Sequence, residues 1–297
     1  MKRGSRNEAA GGARMKKKIL VTGAGGQLGK ELAMWPKSEE FEIIGLDREG
    51  LDIVSREQCR EVIGNLQPDV VIHCAAYTAV DQAESDLEGA YAVNATGSGC
   101  VAEAADEIGA KLIYVSTDYV FDGNGTSPYR TDAPVNPQTV YGKSKHAGEM
   151  LVETLNSRTF IVRTSWVYGK HGNNFVKTML KLGKERGSVK VVNDQTGSPT
   201  YTKDLARFLL RLAGTEEYGT YHASNSGSCT WFEFAQAIFE ESGMAAQALP
   251  CTSEEFPRPA PRPRYSVLDQ SRIKEIGLEE LPEWRDALAR FIQEIRE

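Results

Sequence analysis

Tyr141 and Lys145 stand four residues apart in VYGKSKHAGE, so a helix there would put a phenol and an ammonium on one face. A free phenol, with a pKa of about 10, is a poor proton shuttle near neutrality, and a neighbouring cation lowers the cost of transfer. Ser116 and Thr117 end the apolar run KLIYVST, where a hydroxyl could donate to a carbonyl oxygen as charge develops on it. The chemistry suggested is proton delivery to a reduced carbonyl. Each feature alone has a plainer reading, an exposed helical pair or a capped turn.

Gly23, Gly26 and Gly29 in VTGAGGQLGKEL follow one apolar run and open a helix. That context turns a glycine-rich turn into a candidate dinucleotide site. The first glycine would permit the turn, the second would let backbone approach a pyrophosphate, and the third would let helix and strand pack closely. The spacing is G-x-x-G-x-x-G rather than G-x-G-x-x-G, and a plain βα turn is the alternative. Asp47 closes the next strand, where a carboxylate accepts from ribose hydroxyls and favours NADH. Arg48 beside it could pair with a 2′-phosphate and favour NADPH.

The elements that must position these groups follow from an alternation of short β-branched runs with helix-length segments. KKILVTG, FEIIGLD, PDVVIHCA, KLIYVST and TFIVRTS read as strands. Helices are expected at about 27–35, 55–65, 84–108, 138–156 and 173–186. The rhythm predicts an α/β fold: a Rossmann-type doubly wound parallel sheet with a smaller C-terminal α/β substrate-binding region. Residues 15–169 should form mainly the dinucleotide-binding domain and 170–297 mainly the substrate region, with some segments returning to the first core. Beyond Gly187, SVKVV and GTYHAS read as strands, TKDLARFLLRLA and TWFEFAQAIFEESG as helices. Pro257, Pro259, Pro261 and Pro263 make EEFPRPAPRPRY an extended connection. Residues 1–14 are Gly/Ala-rich and basic without a secretory apolar stretch, and read as a disordered extension.

Composition narrows the function classes. The chain has 297 residues, 40% apolar and 26% charged, which suits a globular protein with a large core. Thirty-five Lys and Arg against 41 Asp and Glu give a net charge of −6, with no basic excess for a nucleic acid. No apolar run is long enough to span a membrane. Five scattered cysteines and four histidines show no C-x-x-C or zinc-ligand spacing, which predicts reduced thiols, a cytoplasmic location and no transition-metal site.

With CAAYTAVDQAE, STDYVFDG and YGKSKHAGE in order behind the glycine turn, the chain resembles the extended short-chain dehydrogenase/reductase superfamily. VFDGNG, RTSWVYG, GNNFVKTML and VVNDQTGSPTY narrow the resemblance to the dTDP-4-dehydrorhamnose reductases, from Lys17 to the C-terminus. It implies reduction of the C4 keto group of dTDP-4-dehydro-L-rhamnose by NADPH or NADH, supplying rhamnose for polysaccharide synthesis. It implies Tyr141 as proton donor, Lys145 in support and Thr117 completing the triad. Gly26, Gln27 and Leu28 would line the pyrophosphate, Asp47 the adenosine ribose, Asp52 and Ile53 the adenine, and Ala75, Ala76, Tyr77 and Thr78 the middle of the cofactor. Asp118 and Trp166, with Thr117, would touch the sugar nucleotide, with pure core packing as the lesser alternative for Trp166.

Two further segments suit such a pocket. Asn193, Asp194 and Gln195 precede a Gly-Ser-Pro turn, and Arg262 offers a fork for diphosphate oxygens, in competition with Arg258 and Arg264. Glu31 matches one position of a magnesium-linked dimer contact described in one subgroup, and its partners have no match here. That leaves magnesium doubtful and a homodimer open. Three alternatives stay in view: another nucleotide-sugar reductase or epimerase, a dehydratase, and a non-catalytic NAD(P)-binding regulatory subunit. Tyr119 stands where the dehydratases carry glutamate, which disfavours that one.

Overall fold

The computed structural model describes residues 16–296, so the extension expected at 1–14 lies outside the described residues. The five apolar runs become β1 (Lys17–Thr22), β2 (Phe41–Leu46), β3 (Val70–His73), β4 (Lys111–Thr117) and β5 (Thr159–Thr164). Between them run α1 (Gln27–Ala33), α2 (Arg56–Leu66), two short helices α3 (Val80–Ala83) and α4 (Leu87–Tyr91), α5 (Ser98–Glu107) and α6 (Val140–Leu155).

The single helix expected over 84–108 is interrupted by a π-helical turn, Ala92–Gly97, between α4 and α5. Asn94 explains the break. Its carbonyl accepts from Tyr114 Oη at 3.1 Å and Ser98 Oγ at 2.9 Å, while its side chain holds the backbone of Tyr77. Such competition with the helical ladder widens the turn, and π-turns of this kind cluster at functional sites.

The second half adds β6 (Val167–Tyr168), α7 (Phe175–Arg186), β7 (Ser188–Val192), β8 (Thr196–Gly197), β9 (Thr200–Tyr201), α8 (Thr202–Ala213) and β10 (Gly219–His222). It ends with β11 (Cys229–Thr230), α9 (Trp231–Ser242), β12 (Gln247–Cys251), α10 (Ser271–Glu275) and α11 (Trp284–Arg296). Of these, β6, β8, β9, β11, β12, α10 and α11 go beyond the elements read from sequence. The last buries Trp284, Ala287, Leu288, Phe291 and Ile292, a helical spacing.

Six parallel strands form the main sheet in the order β10-β5-β4-β3-β1-β2. The fold is therefore the expected doubly wound α/β sheet. Strand order reverses between β1 and β3, and ligands in such sheets bind beyond the carboxyl ends at that point. One core joins Ile19, Val21 and Ile72 to Leu205, Leu209 and Tyr221, so α8 and β10 return to the first sheet. The opposite face packs Leu20 and Val71 against Cys59, Ile63, Val101 and Ala105 of α2 and α5. A separate core of α7, α9 and α11 surrounds Phe234 and Phe291, and the β7–β12 pair flanks it.

Candidate active site

The β1–α1 turn closes against the end of β3. Gly23 has φ +68°, and a Cβ there would lie 2.6 Å from the backbone of Ala75. A Cβ on Gly29 would lie 2.1 Å from the Gly23 carbonyl oxygen. Only glycine allows both approaches, and the result is a side-chain-free cradle opening a groove of about 1620 Å³. Gly26 caps α1 with no side-chain hydrogen bond to the helix start. Gly25, Gln27 and Leu28 also face the groove. These features fit a dinucleotide.

Along the groove lie Asp47, Arg48, Asp52 and Ile53, then Ala75, Ala76, Tyr77 and Thr78, the positions expected from sequence. Asp47 Oδ1 accepts from the amides of Glu49 and Gly50 at 3.0 and 3.2 Å, which fixes the carboxylate at the tip of β2. Arg48 is exposed at the same mouth. The wall at Tyr77 is held by Asn94, whose Oδ1 accepts from Tyr77 N at 2.8 Å and whose Nδ2 donates to Ser144 Oγ at 3.0 Å. The sequence reading passed over Asn94; a lone amide in an apolar helical stretch was its signal.

Tyr141 and Lys145 do share one face of α6, whose start Thr139 caps through Gly142 N at 3.0 Å. Both line the groove with Thr117 at the end of β4. Burial pushes the Tyr141 phenol up to about 12, partly opposed by the Thr117 hydroxyl. Burial lowers Lys145 to about 7, and the Glu149 carboxylate opposes that shift. Lys145 Nζ donates to Val115 O at 2.8 Å and sits 3.9 Å over the Tyr114 ring. Asp118 is buried and pushed up to about 6 by desolvation, against a hydrogen bond from the Thr117 hydroxyl to its Oδ1 at 3.1 Å. Its Oδ2 has no partner among the described residues and its side chain lines the groove. Ser116 lines the same groove, but its hydroxyl is directed to Glu149 Oε1, to which it donates at 2.6 Å.

Trp166 lines the groove with φ +48°, a left-handed conformation that costs a non-glycine residue about 1–3 kcal/mol. Its indole stacks on Trp231 with ring centroids 3.5 Å apart, so packing and lining are both its roles. Gln195 is buried, faces the groove and donates to Ser253 Oγ at 2.8 Å. Asn193 is placed differently from the expectation. It is exposed and outside the groove lining, because its Oδ1 accepts from Thr230 Oγ1 at 2.7 Å at the start of α9. Asp194 is likewise engaged, by the amide and hydroxyl of Ser253.

Arg262 and Arg258 reach the groove, whereas Arg264 does not line it. Arg262 Nη2 donates to Asp81 Oδ2 at 2.9 Å and Nη1 to Ala260 O at 2.9 Å. Asp81, which the sequence reading did not single out, thereby ties the proline-rich strap to α3. Glu31 is buried, raised by desolvation, and accepts from Thr202 Oγ1 at 3.2 Å within the same chain. Among the described residues no cluster of three or more His, Cys, Asp or Glu could hold a metal ion.

Residues 16–297 match the RmlD substrate binding domain family. The spore coat polysaccharide biosynthesis protein SpsK of Bacillus subtilis is 48% identical over 277 residues, 93% of this chain and 97% of that one. A dTDP-4-dehydrorhamnose reductase of Streptomyces griseus is 48% identical over 276 residues, 91% of each chain. The crystal structure of the Bacillus anthracis dTDP-4-dehydrorhamnose reductase in complex with NADP superposes with a TM-score of 0.92 at 48% identity, covering 94% of this chain and 100% of that one.

Proposed function

The chain belongs to the RmlD family of dTDP-4-dehydrorhamnose reductases, and from that premise we propose that Tyr141, Lys145 and Thr117 deliver and support the proton in reduction of the C4 keto group of dTDP-4-dehydro-L-rhamnose. The observation that carries this reading is that all three line the groove that begins at the Gly23–Gly29 cradle. A bound NADPH or NADH supplies the hydride. The cradle, Asp47, Arg48 and the Ala75–Thr78 wall would hold it.

The residues of the chain then manage the proton. With its phenol raised to about 12 by burial, Tyr141 keeps its proton at neutral pH and presents an O–H donor to the substrate oxygen. Thr117 offers a second hydroxyl at the same groove wall. Lys145, lowered to about 7 by burial, stabilises phenolate through its protonated form as the proton leaves. The unpartnered Asp118 Oδ2 suits a sugar hydroxyl, which would satisfy a buried acceptor. Arg262, pinned by Asp81, and Arg258 suit the diphosphate. Asn193 is left out of this set.

All five cysteines are unpaired, and no helix among the described residues is long and apolar enough to cross a membrane. The decisive assay supplies the purified chain with dTDP-4-dehydro-L-rhamnose and NADPH or NADH and follows loss of reduced nicotinamide. Stoichiometric nucleotide binding without turnover would point to the regulatory-subunit alternative.

A further inference from the structure

Two motif residues remain outside the proton machinery, Glu149 of YGKSKHAGE and Arg163 of RTSWVYG, and the fold brings them together in its interior. Arg163 Nε donates to Glu149 Oε1 at 2.9 Å and Nη2 to Oε2 at 2.8 Å, a two-point pair with both side chains buried. Ser116 Oγ completes Oε1 at 2.6 Å, and His146 Nδ1 stands 3.4 Å from Oε2. Despite burial, which opposes ionisation, these hydrogen bonds hold Glu149 near 2, so it is always a charged acceptor at working pH.

The partners come from three elements. Glu149 lies one helical turn beyond Lys145 on α6, and Ser116 immediately precedes Thr117 on β4. Arg163 is the β-ladder partner of Ser116, on β5. The carboxylate therefore fastens the helix carrying Tyr141 and Lys145 to the strand end carrying Thr117. We propose that Glu149, braced by Arg163, is a positioning residue that acts through the Ser116 hydroxyl to set Thr117 against Tyr141 and Lys145. Its role rests on the reductase reading above. Proton delivery depends steeply on geometry, so loosening this link lowers the chemical rate while substrate and cofactor recognition, built on other residues, persists.

Ser116→Ala tests the link with little disturbance, since it removes one hydroxyl and leaves the Arg163–Glu149 pair intact. Steady-state turnover, KM for the sugar nucleotide, NADPH dissociation constants and melting temperature are measured for wild type, Ser116→Ala, Glu149→Gln and the double variant. The expected result is a fall in kcat of about tenfold or more in Ser116→Ala, with KM and cofactor affinity within about twofold. The double variant should lose no more kcat than Glu149→Gln, because both act along one path. Unchanged kcat in Ser116→Ala, or losses that multiply in the double variant, would overturn the positioning role while wild-type turnover still upholds the reductase reading. A wild type without turnover would instead sink that reading, and the role with it.

Discussion

Replacing Lys145 by Met should stabilise the protein at neutral pH while disabling it. Lys145 is 2% exposed, and burial lowers its amine from the ordinary lysine value of 10.5 to about 7. Between those values the unfolded chain binds one proton more than the folded one. Folding stability therefore rises with pH across that window, and burial of this group is most costly at its acid end. At 1.36 kcal/mol per unit, the cost is about 4 kcal/mol at pH 7 and about 1 kcal/mol at pH 10. Met fills similar volume without a titrating group, so its contribution is flat. The hydrogen bond to Val115 O is lost at both pH values and cancels in the comparison, whereas the contact with the Tyr114 ring belongs to the protonated amine and is already contained in its lowered value. Urea unfolding of both variants at pH 7 and pH 10, followed by circular dichroism, should show the Met variant's relative stability falling by about 3 kcal/mol between the two. A difference that stays constant within about 1 kcal/mol would refute the argument from burial. Turnover should meanwhile be lost, the pattern expected where a site holds a strained group for function.

Tyr141→Phe should leave NADPH binding intact and lower the rate by about a hundredfold or more, the usual worth of a general acid, as single-turnover nicotinamide absorbance would show. Arg48→Ala should weaken NADPH by about 1–3 kcal/mol more than NADH if its guanidinium reads the 2′-phosphate; equal dissociation constants before and after would remove it from that role. Asp81→Asn weakens the tether on Arg262, and the expected outcome is a KM for the sugar nucleotide raised several-fold with kcat nearly unchanged, read from initial rates.

Much of the site was legible because its chemistry is written locally. Tyr141 and Lys145 are one helical turn apart, Thr117 ends a strand, and Gly23 to Gly29 span a single turn, so spacing alone places each group at the working edge of a parallel sheet. The sheet itself followed from the β-branched runs, whose burial on both faces leaves continuous apolar letters. The break at Ala92–Gly97 was not legible. It depends on Tyr114 and Ser98 reaching the Asn94 carbonyl, and Tyr114 arrives from a strand 20 residues away. Asn193 was misplaced for a related reason: polarity next to a turn does not say which way the side chain faces, and Thr230 of a later element settled it.

The pairings that lock the site were hidden by distance along the chain. Arg262 and Asp81 are 181 residues apart, and nothing in RPRYS or TAVDQAE marks either as the other's partner. Three arginines competed there on equal terms, and only the path of the strap puts Arg264 outside the groove. Glu149 and Arg163 lie only 14 residues apart, yet their meeting depends on α6 lying across β4 and β5. Local spacing thus names the groups that can move a proton, whereas long-range ion pairs decide how firmly they are held. The two layers are coupled at Ser116, where a buried carboxylate takes the hydroxyl that chain position alone would have offered to the substrate.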